Sequence, residues 1–197
     1  MNEIKNVTKF SINMSSFYNT SIDIIIPYFG HYNSVLKTIR SIFSVPNKQN
    51  IKIVLVDDCS DNVPFIDSFE KIDHVQGYRM PKHSGFGACV NYGLTKCDSP
   101  WVMVCHSDIE AKYSGWIDKM VESLVHWKEK DNSVKMISAS CDFPGDDIDK
   151  RLKSSEPTDA KEFTLNTHSP FYATMFHREL PEHIGGYLFE ELSLIHI

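Results

Sequence analysis

Acidic residues follow two apolar runs of the sequence, and their oxygen atoms are of the kind that bind cations or the polar groups of a ligand. Asp57 and Asp58 come directly after residues 51–56 (IKIVLV), and Asp108 comes soon after residues 101–105 (WVMVC). Mg²⁺ and Mn²⁺ are usually held by one or two carboxylates together with substrate phosphates. A carboxylate can also accept hydrogen bonds from the base or ribose of a nucleotide. The two motifs therefore indicate a nucleotide site, a metal site or both.

Each motif also has a purely structural interpretation. Asp57 and Asp58 could accept backbone N–H bonds at the start of the next helix. Asp108 could be an ordinary turn acid, and His106 could be a histidine that is hydrogen-bonded at a strand end. As metal ligands, Asp108 suits either ion, whereas His106 suits Mn²⁺ and is a poor ligand for Mg²⁺. From the residues alone, both interpretations stay open.

A glycine-containing segment, residues 83–88 (HSGFGA), leads into a predicted helix, and Asn91 lies about one turn into that helix. Glycine at a helix N-terminus lets the backbone approach an anion closely. The spacing is neither G-x-G-x-x-G nor a P-loop, because Lys82 precedes the glycines and no Gly-Lys-Ser/Thr occurs. The segment does not by itself define a phosphate site.

The scaffold for these motifs is indicated by short β-branched runs that alternate with apolar residues at helical spacing. We predict strands over residues 22–26, 51–56, 75–78, 101–105 and 134–139, and helices over residues 35–43, 63–72, 87–96 and 116–125. The first strand should end before Pro27, which cannot continue a strand ladder, and Asn33 or Ser34 should cap the first helix. Residues 142–167 are polar and should form a long loop.

This alternation predicts an α/β fold with a mostly parallel central sheet and helices on both faces, joined by right-handed crossovers. Ligands bind such sheets in the crevice beyond the carboxyl ends of the strands. Residues 27–28, 57–58 and 106–108 each follow a predicted strand, so we expect all three motifs at one edge of the sheet.

Composition restricts the class of protein. The chain has 197 residues, 42% of them hydrophobic, and we predict a single domain over residues 21–197 after an N-terminal arm over residues 1–20. The net charge of −6 and the scattered lysines argue against nucleic acid as a partner. The sequence has neither a signal-peptide pattern nor a run of the ~18 apolar residues that a membrane span needs. We expect a soluble protein, with peripheral membrane association left open.

The five cysteines are odd in number and include no C-x-x-C pair, which argues against a disulfide framework and against a structural zinc site. We therefore expect a reducing cytoplasm. Cys59 and Cys105 lie near the expected crevice, but no base accompanies either of them in the sequence. We interpret both as packing residues.

Taken together, the motifs give a chain that resembles the family-2 inverting glycosyltransferases with the GT-A fold, from residue 22 to about residue 191. The resemblance rests on five segments in a fixed order: IDIIIPYFGHYNSVLKTIRSI, IKIVLVDDCSD, SGFGACVNYGL, WVMVCHSDIE with GWIDKMV, and FYATMFHREL with PEHIGGY. It implies the Rossmann-like architecture of nucleotide-diphospho-sugar transferases and the use of Mn²⁺ or Mg²⁺.

The resemblance assigns the motifs to parts of a nucleotide-sugar donor. Asp58 matches the position that binds the base, and Asp57 is its partner in the same turn. Asp108 matches the acid whose metal ion bridges the diphosphate, with His106 as a second metal ligand. Further donor contacts are implied for Pro27, Tyr28, Gly85, Asn91 and Ser107.

The sequence departs from the family pattern at three places. His106 stands where the metal motif has its first acid, and neither His83 nor Ser84 is the Asn that is common there. Residues 185–187 (GGY) are followed by LFEE, and the chain ends at residue 197. Glu191 is therefore our candidate for the catalytic base. The alternative is that the base is absent and the chain is short at its C-terminus.

The resemblance implies inverting transfer of a sugar from a nucleoside-diphosphate donor, UDP-linked or other, to a glycan or lipid-linked acceptor. Polysaccharide biosynthesis at the inner face of the membrane is the setting it suggests. Two alternatives stay open, a degenerate or truncated nucleotide-binding module without activity and a nucleotidyltransferase. The latter would need a basic glycine-rich loop where this sequence has PYFGHYN. The apolar closing residues SLIHI also lead us to expect a homo-oligomer or a partner at that end.

Overall fold

The computed structural model describes residues 21–61, 66–69, 71–130, 134–139 and 172–183. In chain order, these ranges contain β1 (Ser21–Tyr28), α1 (Tyr32–Ser44), β2 (Asn50–Asp57), α2 (Ile66–Phe69), β3 (Val75–Arg79), α3 (Phe86–Leu94), β4 (Trp101–Cys105), α4 (Trp116–Lys130), β5 (Met136–Ser138), β6 (Ala173–His177) and α5 (Leu180–His183). The predicted arm over residues 1–20 and the predicted loop over residues 142–167 lie outside the described residues.

The strands form one six-stranded sheet in the order β3-β2-β1-β4-β6-β5. β1 pairs in parallel with β2 and β4, and β2 pairs in parallel with β3. β6 runs antiparallel to β4, and β5 runs antiparallel to β6. The predicted mostly parallel α/β fold is confirmed. Strand β6 was not predicted, because its five residues, ATMFH, follow a long polar segment and carry no local strand signal of their own.

Helices cover both faces of the sheet, as the buried β-branched run in β1 requires. Ile24 belongs to a core cluster that also contains residues of α1 and α4, such as Val35 and Leu124. Ile25, the next residue, belongs to a second cluster with Val90 of α3. Successive side chains of a strand point to opposite faces, so a strand covered on both sides is apolar at consecutive positions.

Helix α4 shows how the helices pack on one side only. Ile117, Val121 and Leu124 are buried, whereas Lys119 and Glu122 are exposed. This spacing places the apolar side chains on one stripe facing the sheet. Across the described ranges, no helix has the length and apolar character that crossing a bilayer would demand.

The predicted end of β1 before Pro27 is wrong. β1 continues through Pro27, which pairs with Val56, to Tyr28. The pairing with β4 stops at Ile25, so beyond that residue β1 is paired on one side only. A proline is tolerated at such a position because the strand there does not need hydrogen bonds to both neighbours.

The predicted cap of α1 is also wrong. The helix begins at Tyr32, and its N-cap is His31, which makes no side-chain capping bond. Gly30 and His31 both adopt left-handed backbone conformations, with φ of 62° and 47°. These two residues reverse the chain within one short turn, and the His31 carbonyl accepts hydrogen bonds from the N–H groups of Ser34 and Val35.

Three predicted elements also differ at their ends. The helix predicted over residues 63–72 ends earlier, since residues 71–74 form a turn. The helix predicted over residues 87–96 is Phe86–Leu94, and the strand predicted over residues 134–139 is Met136–Ser138. Helix ends are the least certain part of any assignment from local pattern.

Gly93 allows α3 to lie close to the sheet. A Cβ at this position would be 2.7 Å from Cγ2 of Ile25 and 3.3 Å from Cγ2 of Val56. We expect Gly93→Ala to lower the free energy of unfolding by about 1–3 kcal/mol through overpacking, despite the better helix propensity of alanine. Urea denaturation would measure the change. The same substitution in an Ile25→Ala background should cost less, and equal costs in the two backgrounds would exclude this contact as the cause.

Candidate functional site

The carboxyl ends of β1, β2, β3 and β4 lie at one edge of the sheet, because these four strands are parallel. The turn that carries Asp58 follows β2, and the turn that carries Asp108 follows β4. β1 lies between them, so the two strand ends are about 10 Å apart. Residues 27–28, 57–58 and 106–108, which were predicted to lie at one edge of the sheet, therefore share that edge.

Asp57, the last residue of β2, is fully engaged by protein groups. Its Oδ1 accepts hydrogen bonds from the backbone N and the Oγ of Ser60, at 3.0 and 2.5 Å. Its Oδ2 pairs with Arg79 at 2.5 Å, and Arg79 also donates to the Ser60 carbonyl at 2.6 Å. The carboxylate is buried, so this pair fixes the turn after β2 rather than presenting a free acid to a ligand.

Ser60 connects this turn to the loop after β1. Its Oγ accepts a hydrogen bond from the backbone N of Gly30 at 2.7 Å. Neither Ser60 nor Arg79 was predicted as a site residue. Arg79 lies one residue beyond the predicted end of its strand, and that position at the carboxyl edge is the signal that could have identified it.

Asp58 holds the glycine-containing segment against the end of β2. Its Oδ1 accepts a hydrogen bond from Ser84 N at 2.7 Å, and its Oδ2 accepts one from Gly85 N at 2.8 Å. Nδ1 of His83 lies 2.8 Å from the same Oδ2. The Asp58 backbone N donates to the Tyr28 carbonyl at 2.8 Å. Through its buried carboxylate and its backbone N–H, Asp58 thus joins the ends of β1 and β2 to the glycine-containing segment.

The turn between these acids contains Cys59 in a left-handed conformation, with φ of 63°. This backbone conformation is unfavourable for a residue with a Cβ, and here the bonds of Asp57 and Ser60 enforce it.

The buried thiols elsewhere are unsuited to nucleophilic chemistry. Burial raises the pKa of Cys105 well above its usual range and raises that of Cys97 to about 12. Cys105 is a core residue, as predicted.

His106 begins the turn after β4 and is held by its neighbours. Its backbone N donates to the Tyr172 carbonyl at 3.0 Å, and its ring lies 5.1 Å from the Phe86 ring and 5.6 Å from the Tyr172 ring, between centroids. Burial lowers the pKa of His106, and the negative charge of Asp108 opposes that shift. The imidazole is therefore neutral near pH 7 and keeps a nitrogen lone pair.

Asp108 is exposed, and its carboxylate accepts no hydrogen bond from the residues that the structure describes. Over the same ranges, no three His, Cys, Asp or Glu side chains are grouped as the ligands of a metal ion. One free carboxylate and one neutral imidazole, that of His106, do not form a complete metal site. They do suit a cation that takes its other ligands from phosphate oxygens and water.

A cavity of about 190 Å³ lies between the loop after β1 and the turn after β2. Its lining residues are Tyr28, Phe29, Gly30, His31, Tyr32, Ser60 and Asp61. Burial, reinforced by the charge of Asp57, raises the pKa of Tyr28, so its phenol stays protonated. Aromatic walls with a few polar groups are typical of small-molecule sites.

The mouth of this crevice includes an aromatic pair, and neither of its residues was predicted as a site residue. The ring centroids of Phe29 and His83 are 4.5 Å apart, and both side chains are largely exposed. Phe29 and Tyr32 lie in the segment PYFGHYN, whose density of aromatic residues directly after a strand was the available signal.

The remaining predicted contacts differ in position. Gly85 lies in the crevice as the N-cap of α3, with φ of 87°, but its N–H is already bound to Asp58. Pro27 is buried within β1, and Asn91 is half-buried in the second turn of α3. Ser107 is half-buried, and its carbonyl accepts a hydrogen bond from the hydroxyl of Thr38 in α1. Glu191 and residues 185–187 lie outside the described residues.

The sequence matches a protein-family model described as glycosyl transferase family 2 over residues 23–185. No curated protein matches the sequence at a significant level.

Solved structures share the fold at low sequence identity. The mannosyltransferase PcManGT from Pyrobaculum calidifontis, in complex with GDP-Man and Mn²⁺, is 18% identical with a TM-score of 0.62, over 95% of this chain and 52% of that one. S. aureus TarS 1-349 is 15% identical with a TM-score of 0.56, over 87% of this chain and 50% of that one. The same TarS fragment in complex with UDP-GlcNAc is 16% identical with a TM-score of 0.56, over 87% of this chain and 49% of that one. This chain thus spans about half the length of these proteins.

Proposed function

This chain belongs to glycosyl transferase family 2, and from that premise we propose that it binds a nucleoside-diphosphate sugar at the carboxyl edge of its sheet and transfers the sugar to an acceptor hydroxyl. The observation that carries the proposal is the arrangement of that edge. An aromatic cavity lies on the β2 side of it, the turn with the exposed carboxylate of Asp108 lies on the β4 side, and the loop held by Asp58 joins them.

The cavity beside Tyr28 is the proposed position of the base and ribose. Its aromatic side chains offer surfaces for a planar base, and the exposed Asp61 offers a hydrogen-bonding carboxylate. Asp58 does not line this cavity but lies beside it, because its backbone N donates to the Tyr28 carbonyl, and both of its carboxylate oxygens already accept backbone N–H bonds. We propose that Asp58 acts by holding the loop that surrounds the base and through the lone pairs that remain. The donor is UDP-linked or carries another nucleoside diphosphate.

A divalent ion, Mn²⁺ or Mg²⁺, is proposed at Asp108 with His106 as a second ligand. The protein carries a net charge of −6, and Arg79 at this edge is already paired with Asp57. A diphosphate therefore needs another positive charge, which a bound metal ion would supply, and the same ion would stabilise the leaving group. The neutral imidazole of His106 and the exposed carboxylate of Asp108 would suit such an ion, with oxygen atoms of the diphosphate as further ligands.

The proposed chemistry is a single in-line displacement. The acceptor oxygen forms a bond to the anomeric carbon as the bond from that carbon to the diphosphate oxygen breaks, which inverts the configuration. A carboxylate base, for which we propose Glu191, takes the proton of the acceptor hydroxyl. Holding donor and acceptor in line supplies much of the rate enhancement in such reactions.

The proposed acceptor is a glycan or a lipid-linked saccharide, as in polysaccharide biosynthesis. We propose a cytoplasmic protein that associates with the inner face of the membrane. The cytoplasmic part of this proposal is supported by the odd number of cysteines, five, and by the lack of a C-x-x-C pair. Self-association is proposed through the apolar segment at residues 193–197.

A ligand panel followed by a turnover assay tests this function. Thermal shift would be measured with UDP, GDP and their sugar conjugates, each with Mn²⁺ and with EDTA, because a ligand of the native state raises the melting temperature. We expect a shift with at least one diphosphate and transfer of its sugar to an added glycan or lipid-linked acceptor. Glu191→Gln should leave the thermal shift intact and slow transfer.

Three results would contradict different parts of the proposal. A chain that binds no nucleotide in any condition would not be a donor-binding protein. A chain that binds a donor but neither transfers nor hydrolyses its sugar would be a binding module without activity. Transfer that Glu191→Gln leaves unchanged would exclude Glu191 as the base.

A further inference from the structure

Helix α1 holds the turn after β4 through two hydroxyl side chains. Oγ1 of Thr38 lies 3.0 Å from the Ser107 carbonyl oxygen and 2.8 Å from the Ile109 carbonyl oxygen. One turn further along the helix, Oγ of Ser41 accepts a hydrogen bond from the backbone N of Ala111 at 3.0 Å. The two carbonyls held by Thr38 belong to the residues on either side of Asp108.

These bonds are not local helix contacts. A threonine hydroxyl inside a helix commonly bonds to a carbonyl of the preceding turn. Thr38 instead bonds to carbonyls 69 and 71 residues away, and its side chain is completely buried. Its single hydroxyl proton is shared between the two acceptors. No other group of Thr38 could replace that proton.

The position of the Asp108 carboxylate depends on this anchoring. Within the described residues, no hydrogen bond fixes the carboxylate itself, so its direction follows from the backbone on each side of it. That backbone is attached to α1, whose apolar side chains Val35, Ile39 and Ile42 are fixed in the core. A group on a rigid helix is a firm support for a loop that must present a ligand.

We propose that Thr38 is a positioning residue for the metal-assisted step, holding Asp108 where its carboxylate meets the cation on the donor diphosphate, with Ser41 as a secondary anchor. This inference rests on the proposed donor and metal binding. It assigns to the first helix a role in the metal site that follows β4, although Thr38 itself touches neither the ion nor the donor.

Isothermal titration of UDP and of GDP, each in Mn²⁺ and in EDTA, tests the inference. Thr38→Val keeps the shape of the side chain and removes the hydroxyl. We expect it to reduce the gain in affinity that Mn²⁺ provides by about tenfold, the effect typical of groups that orient metal ligands. The affinity measured in EDTA should not change. Thr38→Ser, which restores the hydroxyl, should recover most of the Mn²⁺ gain.

Ser44→Ala is the matched control, because Ser44 is an exposed hydroxyl of the same helix that bonds, among the described residues, only to the Ser41 carbonyl. It should behave as wild type. If Thr38→Val does not fold, as judged by circular dichroism, Ser41→Ala replaces it and should reduce the Mn²⁺ gain in the same direction by a smaller factor.

The outcomes separate this inference from the function on which it rests. Wild-type protein that gains affinity from Mn²⁺, together with a Thr38→Val variant that keeps the whole gain, would overturn the positioning role alone. Equal losses for Thr38→Val and Thr38→Ser would also overturn it, since the hydroxyl would then not matter. Wild-type protein that binds neither diphosphate would overturn the proposed function and this inference together.

Discussion

Asp58→Ala is expected to lower the free energy of unfolding by about 3 kcal/mol and to abolish nucleotide binding. The buried carboxylate accepts hydrogen bonds from Ser84 N and Gly85 N and contacts His83. Hydrogen bonds to a charged group contribute about 1.5–3 kcal/mol each. Removing the carboxylate leaves the two backbone N–H donors without their acceptor. The loop that joins the two halves of the crevice would then lose its attachment to β2.

Urea denaturation and a titration with UDP and GDP would measure these two effects. Asp58→Asn keeps the shape but only one carbonyl oxygen, so it should lie between wild type and Asp58→Ala in both measurements. Asp73→Ala, at an exposed position in the turn before β3, is the control and should change stability by less than about 0.5 kcal/mol. An Asp58→Ala variant as stable as that control would show that the loop does not depend on this carboxylate.

Asp108→Ala is expected to have the opposite profile, with stability unchanged and metal-dependent function lost. The side chain is exposed and has no hydrogen bond within the described residues, so its removal should not alter the melting temperature. The Mn²⁺-dependent gain in diphosphate affinity should disappear. Sugar transfer should slow by at least ~10³-fold, because the charge stabilisation of a metal ion is worth several kcal/mol in the transition state.

Glu110→Ala provides the matched control, since Glu110 is another exposed acid in the same turn. Affinity in Mn²⁺ and in EDTA would be compared for the two variants and wild type. If Glu110→Ala removes the Mn²⁺ gain and Asp108→Ala does not, the metal ligand is misassigned. If both variants keep the gain in affinity from Mn²⁺, the ion does not bind at this turn.

The sheet could be predicted from the sequence because its signal is local. The runs IDIII, IKIVLV and WVMVC are apolar at consecutive positions, which is typical of strands covered on both faces, and all three form parallel strands of the core. The ends of the elements are set by less local effects. Pro27 continues β1 because β4 has already stopped pairing there, and nothing near Pro27 in sequence carries that information.

Partners that are distant in sequence could not be predicted. Asp23 is completely buried in β1, and its carboxylate is satisfied by Ser99 and by Lys52, which lies 3.3 Å away. This arrangement lies near the start of β1, at the edge of the sheet opposite the candidate site, and the run IDIII does not predict it. Thr38 is a similar case, since its acceptors are about 70 residues away and its own surroundings in sequence predict only a helix.

The acids of the site were predicted in position but not in their contacts. Asp57 and Asp58 looked alike in sequence, as two adjacent carboxylates at a strand end. In the structure Asp57 pairs with Arg79 and Ser60, whereas Asp58 binds the backbone of residues 84–85. Asp57 ends β2 and pairs with Arg79 of the neighbouring strand, whereas Asp58 begins the following turn and meets a loop, and neither partner is near these acids in sequence.

The central claim is that a nucleoside diphosphate and its metal ion bind at the carboxyl edge of the sheet. A crystal structure of the protein with UDP or GDP and Mn²⁺, with anomalous data collected for manganese, tests it most directly. We predict one anomalous peak within bonding distance of the Asp108 carboxylate and of the diphosphate, with the base in the cavity beside Tyr28. A manganese peak and a diphosphate at any other part of the surface would contradict the claim.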